Sequence, residues 1–125
     1  ILIWNNKMYI NKYGEKFNVS KIDKNIPILI SDESRINEVF TYFELFNDKL
    51  SSRKLDFKIT KIVENEIRSL TISLSSGINI QLGSKDVNNK ITLFFEIYKS
   101  LNTRDLNKIR YIDMRYSNGF SVGWN

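Results

Sequence analysis

Leu70, Ile72 and Leu74 alternate with polar residues, and beyond Ser76-Gly77 the same beat resumes at Ile78, Ile80 and Leu82. A period of two sends successive side chains to opposite faces. These segments therefore predict two antiparallel strands joined by a tight turn, each with one apolar face that another layer must cover. Leu55, Phe57 and Ile59 carry the same alternation and predict a third such strand. The covering layer is written on either side. Upstream, Ile36, Val39, Phe40, Phe43, Phe46 and Leu50 recur at helical spacing behind two N-cap candidates, Ser31 and Asp32; downstream, Val87, Ile91, Phe94, Tyr98 and Leu101 do the same. The aromatic stripe of the first helix is a core face rather than a ligand box.

Residues 1–4 and 7–10 are short strand candidates around Asn5-Asn6, followed by a turn at Tyr13-Gly14 and a polar stretch to Lys24. Residues 26–30 hold the only proline, Pro27, which disfavours a central strand there. A polar connection over 102–107 leads into a closing hairpin. Strands, helix, strands, helix, strands is the order of an α+β fold: an antiparallel sheet, mixed at most, with two helices packed on one face and the C-terminal hairpin at the sheet edge.

At 125 residues the chain fits one domain, and 42% hydrophobic content excludes a disordered chain. Cys and His are both absent, which removes thiolate nucleophiles, imidazole acid/base chemistry and the usual zinc ligands. No metal or other cofactor is expected. Absence of Cys suits a cytoplasmic protein and an exported domain alike. Ala is missing too, while Ile, Asn and Lys abound, as codon bias in an AT-rich genome produces. That bias inflates Lys, so the net charge of +5 reads as a solvated basic surface. The opening Ile1-Leu2-Ile3-Trp4 has neither an initiator Met nor an apolar run long enough for a membrane span, and suggests a fragment of a longer protein.

Minor motifs carry little. The Asn18-Val19-Ser20 sequon is a chance triplet, Glu64 and Glu66 read as solvated loop charges, and Gly77 and Gly83 as turn residues outside any phosphate-binding spacing.

The closing segment carries more. Asn118-Gly119 is suited to a two-residue type I′ turn, which would pair Ser117 with Phe120, Tyr116 with Ser121, Arg115 with Val122 and Asp113 with Trp124. In that register Ser121 and Gly123 share a side with Ile112, Met114 and Tyr116, beneath a helix. The other side gathers Asp113 and Arg115 with Phe120, Val122 and Trp124, a mixture suited to a partner surface; Trp124 serves equally as a cap on the core. A terminal strand at an edge is a template for strand addition.

The run from Tyr111-Ile112-Asp113-Met114-Arg115-Tyr116 through Ser117-Asn118-Gly119 to Val122-Gly123-Trp124 resembles the C-terminal signature of the FtsQ/DivIB bacterial cell-division family. Trp4, Gly14-Glu15-Lys16-Phe17, Asn25-Ile26-Pro27 and Ile80-Gln81-Leu82-Gly83 follow in that family's order. The resemblance implies a C-terminal β domain over residues 11–125, with 1–10 as the end of a preceding POTRA-like domain and connection. It implies a non-catalytic scaffold that binds FtsB, with FtsL, and a parent anchored in the inner membrane by one helix, with this domain periplasmic at the septum. Family contacts carried over by position are Arg115, Tyr116, Asn118, Gly119 and Trp124, and a basic residue after the first helix, Lys54 with Arg53 as its neighbour. Added to the edge strand, the candidate partner-binding set is Lys54, Arg115, Tyr116, Ser117, Asn118, Gly119, Phe120, Ser121, Val122, Gly123 and Trp124. Met114 replaces the family's usual Leu, Phe120 stands where many relatives carry a small residue, and Lys54 lacks the bidentate fork of Arg.

Two other classes compete: a nucleic-acid-binding module using Lys108, Arg110, Tyr111, Arg115 and Tyr116, and an enzyme working with Asp, Glu, Lys or Ser alone.

Overall fold

The computed structural model of the chain describes residues 2–5, 8–10, 16–18, 26–101, 108–116 and 119–124. The expected turn at Tyr13-Gly14, the polar stretch to Lys24 apart from residues 16–18, Val19-Ser20 of the sequon and the 102–107 connection lie outside them.

The strands include ones that the apolar alternation predicts and one, at residues 16–18, inside the stretch expected to be polar. In chain order they are β1 (Leu2–Trp4), β2 (Met8–Ile10), β3 (Lys16–Asn18) and β4 (Ile28–Ile30), then β5 (Ile59–Glu64), β6 (Leu70–Leu74) and β7 (Asn79–Gly83), and finally β8 (Ile109–Asp113) and β9 (Ser121–Trp124). The helices are α1 (Ile36–Ser52) and α2 (Val87–Ser100). Among the described residues the strands make one sheet in the order β3-β2-β1-β4-β5-β6-β7-β8-β9.

Three contacts in the sheet are parallel, β1/β4, β4/β5 and β7/β8, and the rest antiparallel. Parallel neighbours need a long crossover, and α1 and α2 are the crossovers of the second and third. The sheet is thus mixed, within the expected α+β class. One register row, Leu29, Ile62, Ile72, Ile80, Ile112 and Val122, crosses six strands on the helix-covered face. The first five are fully buried and Val122 is half-buried against them. Phe46 of α1 joins the helices, its ring 5.4 Å from that of Phe94 and 4.8 Å from that of Phe95.

Local chemistry sets the helix ends. Asp32 accepts from the Ser34 N–H at 3.0 Å and caps a 3-10 turn, Glu33–Arg35, that runs into α1. At the other end the Lys54 N–H donates to Ser51 O and the Leu55 N–H to Leu50 O, a Schellman closure with Lys54 in the left-handed region at φ 54°.

Three expectations need correction. The strand predicted from Leu55 starts only at Ile59, because Leu55 is taken up in the helix closure. Pro27 does not keep its segment from the sheet interior: β4 lies between β1 and β5, with Pro27 just ahead of its first residue, accepting from the Ile3 N–H at 2.9 Å. Glu64 is a buried residue at the end of β5, on the helix side, held by Arg35 through Nε–Oε1 at 2.8 Å and Nη2–Oε2 at 3.1 Å. An odd-even count alone could not foresee it, since the arginine that makes its burial tolerable comes from a distant segment.

Candidate functional site

Strand β9 closes the sheet order and pairs, among the described residues, with β8 alone. Its outer row of backbone groups therefore has no strand neighbour there, the condition for pairing with another chain.

The register differs from the one the Asn-Gly turn predicts. Asp113 pairs with Ser121, Ile112 with Val122, Tyr111 with Gly123 and, past an irregularity, Ile109 with Trp124. Residues 114–120 join the two strands; Ser117 and Asn118 lie outside the described residues. The offset of three positions is odd, so it exchanges the faces of β9. Val122 turns to the core opposite Ile112, while Ser121 and Gly123 share the open face with Asp113 and Tyr111. Burying Val122 in the hydrophobic row outweighs a locally favourable turn. The exchange is also sterically fixed: a Cβ on Gly123 would overlap Cδ1, Cε1 and Cζ of Tyr111, so only glycine fits beneath that ring.

At the far end of β8, Asp113 and Arg115 form a paired clamp. Arg115 Nε donates to Asp113 Oδ1 at 2.9 Å and Nη2 to Oδ2 at 2.7 Å. Hydrogen bonding from the Arg115 side chain holds the Asp113 carboxyl below its ordinary pKa, although burial pushes the other way. Arg115 rests against Gly83, the last residue of β7. Beyond the clamp Tyr116 is 57% exposed and Phe120 45% exposed, two aromatic groups open to solvent beside the strand end. Among the described residues, and leaving aside its chain neighbours, no atom lies within 4 Å of a Cβ position on Gly119.

The structure thus brings Arg115, Tyr116, Phe120 and Ser121 to one end of the hairpin. It does not bring Lys54 there. Lys54 precedes β5, Arg115 follows β8, and these strands run in the same direction, so the two residues lie at opposite ends of the sheet. Arg53 and Leu55, the chain neighbours of Lys54, line a hollow of about 620 Å³ between the helix C-termini, with Phe95, Tyr98, Lys99 and Leu101. The Arg53 guanidinium lies 5.0 Å from the Phe95 ring centroid.

A second hollow of about 850 Å³ is bordered by Asp32, Arg35, Glu64, Glu66, Ile67 and Arg68. Its carboxylates are structural where they are held: Asp32 caps the turn before α1 and Glu64 is tied to Arg35. Among the described residues no group of His, Cys, Asp or Glu is placed to hold a metal ion, and no helix is long and apolar enough to cross a membrane.

Residues 2–115 match the family model described as Cell division protein FtsQ/DivIB, C-terminal. The chain belongs to the FtsQ/DivIB family. Similar curated relatives are named Cell division protein FtsQ. That of Vibrio cholerae is 28% identical over 124 residues, covering 98% of this chain and 46% of the relative. That of Escherichia coli is 28% identical over 127 residues, with 97% and 45% covered. That of Actinobacillus pleuropneumoniae is 26% identical over 128 residues, with 100% and 55% covered. The chain spans about half the length of these FtsQ relatives. The family match ends at Arg115, so β9 lies beyond it, whereas the match to the Vibrio relative takes in 98% of the chain.

Proposed function

We propose that this chain is the extracytoplasmic β domain of a non-catalytic cell-division scaffold, and that β9 receives a segment of an FtsB-type partner by strand addition, with FtsL brought alongside. The observation that carries this reading is the place of β9, last in the sheet and paired on one side only among the described residues, in a chain of the FtsQ/DivIB family. An added strand would gain backbone hydrogen bonds along β9, while the exposed Tyr116 and Phe120 and the clamped Arg115 select its side chains. Residues 11–125 would form the domain proper and 1–10 its junction with a POTRA-like domain. A single-pass helix elsewhere in the parent would hold the assembly in the inner membrane, facing the periplasm at the septum.

Calorimetric titration with the soluble extracytoplasmic fragment of the FtsB-type protein from the same bacterium tests this. Successive strand amides point to opposite edges, so one of Ser121→Pro and Val122→Pro removes an outward donor and should abolish most binding. Tyr116→Ala and Trp124→Ala each remove an anchor at about 2 kcal/mol. Unaltered affinity in all four folded variants overturns the proposal. A salt series with single-stranded DNA separates the competing reading, because phosphate-driven affinity falls steeply with salt.

A further inference from the structure

Most of the hydrogen-bonding capacity on one edge of Arg115 is already committed. Besides the two side-chain bonds to Asp113, the Arg115 backbone N–H donates to Asp113 Oδ1 at 3.1 Å. The aspartate side chain is buried, at 7% exposure, yet the arginine side chain that it holds is 56% exposed. Gly83, at φ 78°, lies beside the stem: a Cβ there would stand 3.4 Å from Arg115 Cγ and 3.6 Å from its Cα. The approach is rigid as well, with Gln81 paired to Asp113 and the Met114 N–H donating to Gln81 O at 2.7 Å.

From this geometry we infer that Asp113 is a positioning residue for docking, turning the Arg115 guanidinium side-on against β8 so that only its outer edge, Nη1 with Nη2, is presented to a partner. The inference rests on the strand-addition reading and adds what the incoming segment must carry: a hydrogen-bond acceptor, carboxylate or carbonyl, aimed in the guanidinium plane. A loose arginine is a point charge swept through a wide cone. One neutralised by its own aspartate acts through direction instead, so its contribution should barely respond to salt. Arg115 continues the line of β8, and a strand beyond β9 is two strand spacings away, about 10 Å, a gap that two long side chains close.

The test is a double-mutant cycle read by titration with the same FtsB-type fragment at low and high salt, for the unaltered chain, Asp113→Asn, Arg115→Ala and both together. Each single change should weaken binding at least tenfold, the double change no more than Arg115→Ala alone, and the Arg115→Ala loss should be equal at both salt levels. Additive losses, or full affinity in Asp113→Asn, overturn the positioning role and leave strand addition standing. No binding by the unaltered chain overturns both. Should Asp113→Asn fail to fold, Arg115→Lys decides: it keeps the charge without the fork and should bind as weakly as Arg115→Ala, while unaltered affinity overturns the inference.

Discussion

The ring of Tyr111 lies across Gly123 on the open face of the sheet, filling the space where a Cβ on residue 123 would stand. This contact fits the same β8/β9 register as the hydrophobic row behind it. Gly123→Ala should cost about 1–3 kcal/mol through overpacking. In a Tyr111→Ala background the same change should cost less than about 1 kcal/mol, because the obstructing ring is gone. Urea denaturation of the four chains measures both, and equal costs in the two backgrounds would refute the contact's role.

The Arg35–Glu64 pair predicts an asymmetric response. Arg35→Ala leaves a carboxylate buried without its partner and should destabilise by about 3 kcal/mol. Glu64→Ala leaves an arginine with a path to water and should cost less, about 1–2 kcal/mol. Thermal or urea unfolding of the two variants gives the order, and the reverse order contradicts the assigned burial.

Asp113 also predicts a pH dependence. Its carboxyl titrates below the ordinary 3.8 in the folded chain, first through the hydrogen bond from the Arg115 side chain. A depressed folded pKa means that the stabilisation is complete above the unfolded value and is lost as pH falls through the folded one. Stability should therefore drop as pH is lowered below 3.8. In Asp113→Asn the drop should be shallower, as unfolding free energies measured between pH 6 and pH 2 (about the range in which carboxylates titrate) would show.

Lys54 carries a backbone conformation that suits glycine, at φ 54° in the helix closure. Lys54→Gly should raise stability by up to about 1 kcal/mol. If its charge also meets an acidic partner group, the same variant should bind the FtsB-type fragment more weakly while melting higher. A melting point unchanged or lowered would remove the strain argument.

Much of the architecture was legible in the residues. The period-two runs around Ser76-Gly77 and the helical stripes of Ile36 to Leu50 and Val87 to Leu101 determined the strands β6 and β7, the two helices and their shared face, because periodicity is a local property of side-chain order. The likeness of residues 111–124 pointed to the family that the comparison then showed. What the sequence could not determine depended on contacts between distant segments. Asn118-Gly119 argued for a two-residue turn, yet the register was decided by Val122 entering the row of Ile112 and by Tyr111 occupying the slot over Gly123. Glu64 looked like a loop charge until Arg35 came to meet it across the fold. Local propensity selects the elements, whereas register, face and the pairing of buried charges are settled by which arrangement buries the most apolar surface with every polar group partnered, and only the tertiary structure holds that sum.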